Sequence, residues 1–214
     1  TSISLPDGIT SIGDAVFYNC ESLTSISLPK KITDIGDSAF CGCSKLESIN
    51  IPESVKKIRS YAFSRCSSLT SISIPERVTS IGHRAFSVCY SLVSIIVDKN
   101  NKNYRSENNC IIDCKQNKLV IGCNATVIPE GITRIGDSAF CGCDGLTSVN
   151  IPKGVTSIGN DAFYNCESLT SISIPEGVTS IGNDAFSACN KLTKIEWKGK
   201  IYTSVDSFLS AFRS

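Results

Sequence analysis

The 214-residue sequence contains no methionine, a single histidine and a single tryptophan, and no long apolar run. A helix needs about 20 consecutive apolar residues to cross a bilayer, so we expect no membrane span in this segment. The 21 lysines and arginines nearly balance the 20 aspartates and glutamates, and both signs are scattered along the chain. Nucleic-acid binding is therefore disfavoured, because it typically needs a basic stripe on one face.

The sequence also lacks the residue sets of common active sites. His83 stands without a partner pattern of serine and aspartate, and there is no Gly-rich phosphate loop and no C-x-x-C pair. The closest approach to a metal motif is the C-x-C spacing of Cys41-Gly-Cys43 and Cys141-Gly-Cys143, which is a weak signal for a metal site. We therefore expect a protein that is not an enzyme and that holds no cofactor and no metal ion.

What the sequence does contain is a 23-residue repeat. Every proline occupies the same repeat position: Pro6, Pro29, Pro52, Pro75, Pro129, Pro152 and Pro175. Seven of the twelve cysteines share another: Cys20, Cys43, Cys66, Cys89, Cys143, Cys166 and Cys189. Self-similarity at this period is typical of stacked coils, each of which buries its apolar face against its neighbours.

Each unit opens with the leucine-rich-repeat pattern Leu-x-x-Ile-x-Ile, which predicts one short strand. In the third unit, Ile49 and Ile51 point inward and Ser48 and Asn50 point outward, because side chains alternate along a strand. Pro52 ends the strand, since it has no N–H to donate. A second short strand follows, and then an Ala-Phe pair that we place on a short helical turn, where the aromatic ring plugs the coil.

We therefore predict a leucine-rich-repeat solenoid, a right-handed coil with a parallel β-sheet on its concave face and short second strands and helical turns on the other faces. Residues 1–214 form a single domain in this prediction. Regular repeats occupy residues 1–97 and 129–197, an irregular coil with a hairpin insertion occupies 98–128, and a C-terminal cap occupies 198–214.

The string Leu-x-x-Ile-x-Ile-Pro-x-x-Val-x-x-Ile-Gly-x-x-Ala-Phe-x-x-Cys resembles the BspA-like, or Treponema pallidum-type, leucine-rich repeat over nearly the whole chain. The resemblance implies a secreted or cell-surface protein that adheres to a protein ligand, such as a host extracellular-matrix or plasma protein, or to neighbouring cells. A glycan partner is also compatible with it. The alternative is a structural spacer that displays another domain and has no ligand of its own.

The chain begins in the middle of a repeat, at Thr1, and contains no methionine. We therefore expect a signal peptide and an N-terminal cap to precede it.

Outward-pointing strand positions supply the first candidate binding surface. These residues are Ser25, Ser48, Asn50, Ser71, Ser73, Ser94, Ile96, Ser148, Asn150, Ser171 and Ser173. Solenoids use such faces as extended binding surfaces. The other interpretation is that small polar residues only keep a curved sheet uncrowded and soluble.

The interrupted unit supplies the second candidate surface. Its polar stretch 99–109 is predicted to loop outward, and Tyr104 and Arg105 within it are candidate binding residues. Residues 110–123 are predicted to form a β-hairpin that serves either as a binding protrusion or as a spacer that changes the curvature.

The cysteines are interpreted in two groups. Those at the shared repeat position would project in parallel, which does not suit the disulfide dihedral, so we expect free thiols that help to satisfy turn carbonyls. Cys110 and Cys123 flank the predicted hairpin, and a disulfide between them is a hypothesis. The sequence leaves the state of Cys114 open.

The C-terminus departs from the repeat in a way that predicts a lid. Apolar residues fall at helical spacing: Val205, Phe208, Leu209 and Phe212. Thr203 or Ser204 can cap this helix. An amphipathic helix here would cover the open end of the solenoid, as terminal repeats require.

Overall fold

The computed structural model describes residues 1–214 and shows a β-solenoid of about nine coils with repeats of about 23 residues, which confirms the predicted fold class. We number the coils from the N-terminus by the residue that opens each first-strand segment. These residues are Ser2, Ser25, Ser48, Ser71, Ser94, Ala125, Ser148, Ser171 and Lys194.

The structure contains eighteen short strands and one helix. The strands are β1 (Ser2–Ser4), β2 (Ser11–Ile12), β3 (Ser25–Ser27), β4 (Asp34–Ile35), β5 (Lys57–Ile58), β6 (Ser71–Ile74), β7 (Ser80–Ile81), β8 (Ser94–Val97), β9 (Tyr104–Glu107), β10 (Cys110–Asp113), β11 (Lys118–Ile121), β12 (Arg134–Ile135), β13 (Ser148–Asn150), β14 (Ser157–Ile158), β15 (Ser171–Ile174), β16 (Ser180–Ile181), β17 (Lys194–Trp197) and β18 (Lys200–Tyr202). The helix is α1 (Val205–Arg213).

The first strands of successive coils pair in parallel with like residues opposite one another, as Ser71 opposite Ser94 in β6 and β8 shows. They form three separate pieces, β1–β3, β6–β8 and β13–β15–β17, and β18 adds to the last in antiparallel fashion. The strand predicted for coil 3 does not form. Only long hydrogen bonds hold that segment, from Glu47 N to Thr24 O at 3.3 Å and from Thr70 N to Glu47 O at 3.4 Å.

The second strands stack in the same way and are two residues long, except for the four-residue β11. β2, β4, β5 and β7 form one parallel sheet, and β11, β12, β14 and β16 are the parallel part of a six-stranded sheet that also contains β10 and β9. Ile35 and Ile58 lie directly opposite each other in β4 and β5 and are almost fully buried, so the stacked isoleucines fill the core between the two sets of strands.

The phenylalanines stack along the solenoid axis. Ring centroids of Phe17, Phe40, Phe63 and Phe86 lie 5.1, 5.3 and 5.2 Å apart, and those of Phe140, Phe163 and Phe186 lie 5.0 and 5.6 Å apart. All these ring pairs are within 9° of parallel. Each coil therefore covers the ring of its neighbour.

The turns that carry the rings are not helical, which corrects that detail of the prediction. Each has two residues in the left-handed region, such as Tyr61 (φ 58°) and Arg65 (φ 59°) in coil 3. Such residues are strained unless surrounding bonds hold them. Here Tyr61 N donates to His83 O and Arg65 N donates to Ser87 O, both at 2.9 Å, so the next coil fixes the turn.

Coil 5 contains a three-stranded antiparallel meander, β9–β10–β11, where the sequence predicted a hairpin with an outward loop. Ile111 and Ile112 in its middle strand are both fully buried. Ile111 belongs to the apolar core of coils 1–5, and Ile112 belongs to that of coils 6–9. The meander, residues 104–121, is thus a septum that lies across the solenoid and packs one core against each face.

The turn region of coil 5 is shortened as a result. Gly122 takes the repeat position of the phenylalanine, and its N–H donates to Ala139 O at 2.7 Å. A Cβ at Gly122 would lie 2.2 Å from Phe140 Cε1, so the Phe140 ring occupies the space of the missing side chain. Beyond this point the turn of coil 4 rests directly on that of coil 6, where Val88 N donates to Cys141 O at 3.0 Å.

The predicted C-terminal helix is confirmed and covers the last coil. Ser204 caps α1, since its hydroxyl accepts from Ser207 N at 3.2 Å. Phe208 is fully buried with ring centroids 5.9 Å from Trp197 and 6.3 Å from Phe186. No helix in the structure has both the length and the apolar character needed to cross a bilayer.

Candidate interaction surfaces

The predicted binding rows lie on the outer face of the first strands. In β6 the side chains alternate, with Ser71 and Ser73 exposed and Ile72 and Ile74 buried. Of the other predicted residues, Ser25, Ser48, Asn50, Ile96, Ser148 and Asn150 are exposed, while Ser94, Ser171 and Ser173 are half-buried. The structure thus places all of them on one face, and their role in binding stays a prediction.

Three exposed apolar residues interrupt this polar face, one at the end of coil 4, one in coil 5 and one in coil 6. We define the patch as Val93, Ile96 and Val127, which are 50%, 57% and 69% exposed. Ile96 and Val127 each lie two residues before the proline position of the repeat, where coils 1–4, 7 and 8 carry serine or asparagine and coil 9 carries Glu196. Exposed apolar side chains rimmed by polar ones are typical of protein interaction sites.

Sequence reasoning identified Ile96 but missed Val127. The signal was available, because Val127 precedes Pro129 by the same two residues that separate Ser73 from Pro75. The irregular length of coil 5 hid this correspondence.

Tyr104 is not a surface residue, which corrects its assignment as a binding residue. Its side chain is buried, and its phenolic oxygen accepts a hydrogen bond from Ile81 N at 3.2 Å. Burial raises the pKa of this phenol. Tyr104 follows Ile81 by 23 residues and therefore holds the equivalent position of the next coil. Its side-chain hydroxyl, and not a backbone carbonyl, accepts the hydrogen bond from the Ile81 N–H at the edge of β7.

The polar stretch before Tyr104 is anchored, and does not loop outward as predicted. The buried amide of Asn101 donates to Pro75 O at 2.8 Å and to Val78 O at 3.1 Å. Its oxygen accepts from Asn103 N at 2.9 Å and from Tyr104 N at 3.0 Å. One side chain thereby satisfies four backbone groups, which explains how a polar segment can cover the core.

Arg105 remains partly exposed at the edge of the septum and forms an ion pair with Glu107. Because Arg105 is already paired with Glu107 within β9, its guanidinium is less available for an ion pair with a binding partner than an unpaired one would be.

Cys110 and Cys123 do not form the predicted disulfide and are free thiols. The two sulfurs are directed at different carbonyls, Cys110 Sγ at Glu107 O (3.0 Å) and Cys123 Sγ at Asn109 O (3.4 Å). Ile111 lies opposite Ile121 in this strand pair, so Cys110 falls opposite Gly122 and not opposite Cys123.

The cysteines at the shared repeat position satisfy turn carbonyls, as predicted. Cys43, Cys66, Cys89, Cys166 and Cys189 donate to the carbonyls of Phe17, Phe40, Phe63, Phe140 and Phe163 over 3.0–3.2 Å. Burial raises the pKa of Cys43 and Cys89 to about 12, so these thiols stay protonated. No three metal-ligating side chains come together in the structure.

A second polar and aromatic region lies on the side of the turns, which we call the turn face. The rings of Tyr61 and His83 meet edge to face at 5.7 Å. Arg84 forms an ion pair with Asp161 at 2.9 Å, and its guanidinium carbon lies 5.8 Å from the centre of the Tyr164 ring. Tyrosine and arginine are the residue types enriched at binding hot spots.

Comparison with known proteins identifies the repeat. Residues 1–118 and 120–212 match the family model described as the BspA type leucine rich repeat region, in six copies. The chain belongs to the BspA-type leucine-rich repeat family. Leucine-rich-repeat proteins of such families are generally non-enzymatic binding scaffolds and usually act as protein-interaction modules.

Solved structures of leucine-rich repeat proteins share the fold. A leucine-rich repeat protein from Eubacterium ventriosum is 30% identical over 93% of this chain with a TM-score of 0.76, and the chain spans 60% of that protein. The T. pallidum leucine rich repeat protein TpLRR is 31% identical over 89% of this chain and 77% of its own, with a TM-score of 0.53.

A leucine rich cell surface protein from Faecalibacterium prausnitzii is 26% identical over 94% of this chain and 79% of its own, with a TM-score of 0.50. No curated protein sequence matches the chain.

Proposed function

We propose that this BspA-type chain is an adhesion module of the cell surface or of the secreted fraction, which binds a protein ligand on the outer face of its first strands. The apolar patch of Val93, Ile96 and Val127 carries the proposal, because Ile96 and Val127 place exposed β-branched side chains where most coils carry serine or asparagine, and Val93 places one where most coils carry threonine. The cell-surface location of the F. prausnitzii relative supports the proposed site of action.

The face has the layout of a protein interface. The patch supplies apolar area at the centre, and each square ångström removed from water contributes about 25 cal/mol. Serines and asparagines of neighbouring coils, such as Ser73 and Asn150, surround the patch and offer hydrogen bonds at the rim. The predicted ligand therefore has an exposed apolar side chain surrounded by polar groups of low net charge.

The test is surface plasmon resonance of the purified chain over immobilised extracellular-matrix and plasma proteins. We expect at least one saturable interaction, and we expect Ile96→Arg and Val127→Arg each to weaken it at least about tenfold, as the loss of a central contact does. Ile201→Arg is the matched control, because Ile201 is equally exposed (61%) but lies in β18 at the C-terminal end.

Two results would contradict the proposal. If the Ile96→Arg variant binds the ligand as tightly as the Ile201→Arg control does, the ligand does not contact the patch. If the folded chain binds nothing on the panel, the chain acts as a spacer that displays another part of a longer protein.

A further inference from the structure

A long groove on the turn face is separate from the proposed adhesion surface. Its floor is one residue from each of the first four coils, Asn19, Gly42, Arg65 and Val88, all in the left-handed region. One wall runs in parallel from Glu21 in coil 1 to Tyr90 in coil 4. With a volume of about 470 Å³, the groove falls within the size range of small-ligand sites.

The shortened coil 5 gives the groove its closed end. Because coil 5 has no turn here, Val88 N bonds directly to Cys141 O at 3.0 Å, and coil 7 lies one coil nearer to coil 4 than a regular array would allow. Tyr164 of coil 7 therefore lines the same groove as Tyr90. Two tyrosines, 43% and 37% exposed, thus line this end of the groove, next to a row of polar side chains.

Tyr164 is held in place from behind. The Arg84 guanidinium lies 5.8 Å from the centre of the Tyr164 ring, and Arg84 is itself fixed by Asp161 at 2.9 Å and by Ser138 Oγ at 3.1 Å. A ring fixed before binding loses little conformational entropy when a ligand packs on it.

The backbone N–H groups of all four groove-floor residues are engaged in hydrogen bonds. Asn19 N donates to Cys41 O at 2.7 Å and Gly42 N donates to Ser64 O at 2.8 Å. The carbonyl of Asn19 accepts from Glu21 N at 2.8 Å. An extended peptide that binds by strand addition needs unpaired backbone groups, so this groove does not suit it, and recognition falls to the side chains.

The charges of the groove do not favour a polyanion. Glu21 on the wall is negatively charged, and Arg65 on the floor is positively charged. Tyr90 lies at the aromatic end of the groove. Its pKa is raised mainly by burial and, to a lesser extent, by the nearby carboxylates of Asp144 and Glu167. A sulfated or phosphorylated ligand would meet these carboxylates, whereas a neutral one would not.

We propose that this groove binds a linear, neutral oligosaccharide. A pyranose ring has an apolar C–H face and a rim of hydroxyls, which matches tyrosine rings beside amide, carboxylate and guanidinium groups. The apolar faces of the sugars pack on Tyr90 and Tyr164, and their hydroxyls bond to Asn19, Glu21 and Arg65. This site is independent of the patch proposed for protein adhesion.

The experiment is isothermal titration calorimetry of the chain with cellohexaose, chitohexaose, xylohexaose and mannohexaose, with a heparin hexasaccharide as the polyanionic comparison. We expect one of the neutral hexasaccharides to bind saturably. Tyr90→Ala and Tyr164→Ala are each expected to weaken that binding about tenfold, as the loss of an aromatic anchor does. Tyr90→Phe keeps the ring and is expected to keep most of the affinity.

Tyr18→Ala is the matched control. Tyr18 occupies the same repeat position as Tyr164, in coil 1, and is 50% exposed, but it does not line the groove. We expect its replacement, and also Ile96→Arg, to leave saccharide binding unchanged.

A measurement on the unaltered chain covers the case in which an alanine variant fails to fold. Addition of the bound hexasaccharide is expected to shift the amide NMR signals of Tyr90, Tyr164 and Asn165. The proposal is wrong if no neutral hexasaccharide binds, if heparin binds more tightly, if Tyr18→Ala weakens binding as much as Tyr164→Ala, or if the shifted signals lie on the first strands.

Discussion

Single residues in this protein act mainly through their copies one coil away. Phe63 lies between the rings of Phe40 and Phe86, and Cys66 reaches back to the Phe40 carbonyl. A residue in such a column has neighbours of its own kind above and below, so its loss leaves a gap that neither neighbour can fill without moving.

Phe63→Ala tests the stacked rings. Phe63 is fully buried, so its removal leaves a cavity and is expected to cost about 3–5 kcal/mol. Native-state hydrogen exchange of the amides in coils 2–4 measures this loss. Val16→Ala, at a 56% exposed position beside Phe17, is the control and should change stability by less than about 0.5 kcal/mol. A small effect of Phe63→Ala would mean that neighbouring rings close the gap.

The buried thiols make the free energy of unfolding depend on pH in the alkaline range. Burial raises the pKa of Cys43, Cys89 and Cys110 to about 12, whereas a thiol in the unfolded chain has a pKa of about 8.5. Above that pH the unfolded chain has lost protons that the folded chain keeps, so stability falls as pH rises. We expect a constant urea midpoint up to about pH 8 and a decline above about pH 9.

The double variant Cys43→Ala/Cys89→Ala separates this effect from other titrations. With two of the buried thiols removed, the alkaline decline of its urea midpoint should be shallower than that of the unaltered chain. An equally steep decline would assign the effect to other groups, such as tyrosines.

At the level of elements, the septum is the feature that departs most from the repeat. The apolar pair Ile111 and Ile112 needs burial on both faces of β10, which only a strand between two cores provides. This makes the insertion part of the core and explains why its polar flank is tied down by Asn101.

Ile111→Ala and Ile112→Ala test the septum. Both side chains are fully buried, so each change is expected to cost about 2–5 kcal/mol. Because the two residues face different cores, hydrogen exchange should quicken in coil 4 for Ile111→Ala and in coil 6 for Ile112→Ala. Ile96→Ala, at an exposed position of β8, is the control. Identical exchange patterns in the two variants would contradict the assignment of separate faces.

The sequence predicts the regular elements well because each is repeated. Most of the strands, the stacked rings and the thiols at Cys43 and Cys66 follow from their positions in the repeat, although the first strand of coil 3 does not form. It fails at Tyr104 and β9, because Tyr-Arg-Ser-Glu has no apolar alternation and forms a strand only through its pairing with β10. The groove at Tyr90 and Tyr164 was equally hidden, since it exists only because coil 5 omits a turn that no local pattern marks as missing.

At the level of the whole molecule, two apolar cores meet at the septum. The ring stack stops at Phe86 and resumes at Phe140, and Gly122 stands between them. In a solenoid, stability is nearly a sum of coil and neighbour terms, so a weak boundary allows one half to loosen before the other.

Trp197 reports on this boundary, because it is the only tryptophan and lies in the C-terminal core. Phe63→Ala is expected to lower the urea midpoint seen by far-UV circular dichroism while leaving the midpoint of Trp197 fluorescence nearly unchanged. Phe163→Ala should instead lower the fluorescence midpoint. If Phe63→Ala lowers both midpoints equally, the two cores unfold as one cooperative unit.

The in-register pairing of like residues also bears on how such a gene can change in length. Ser71 pairs with Ser94 as Ser2 pairs with Ser25, so loss or duplication of a 23-codon segment among coils 1–4 would place an equivalent residue opposite every partner. Copying errors between similar segments can thus lengthen or shorten the rod while like residues still pair between neighbouring coils. Coil 5 is the exception: its septum fits only between the neighbours that it has, and it marks a fixed point in an otherwise extensible chain.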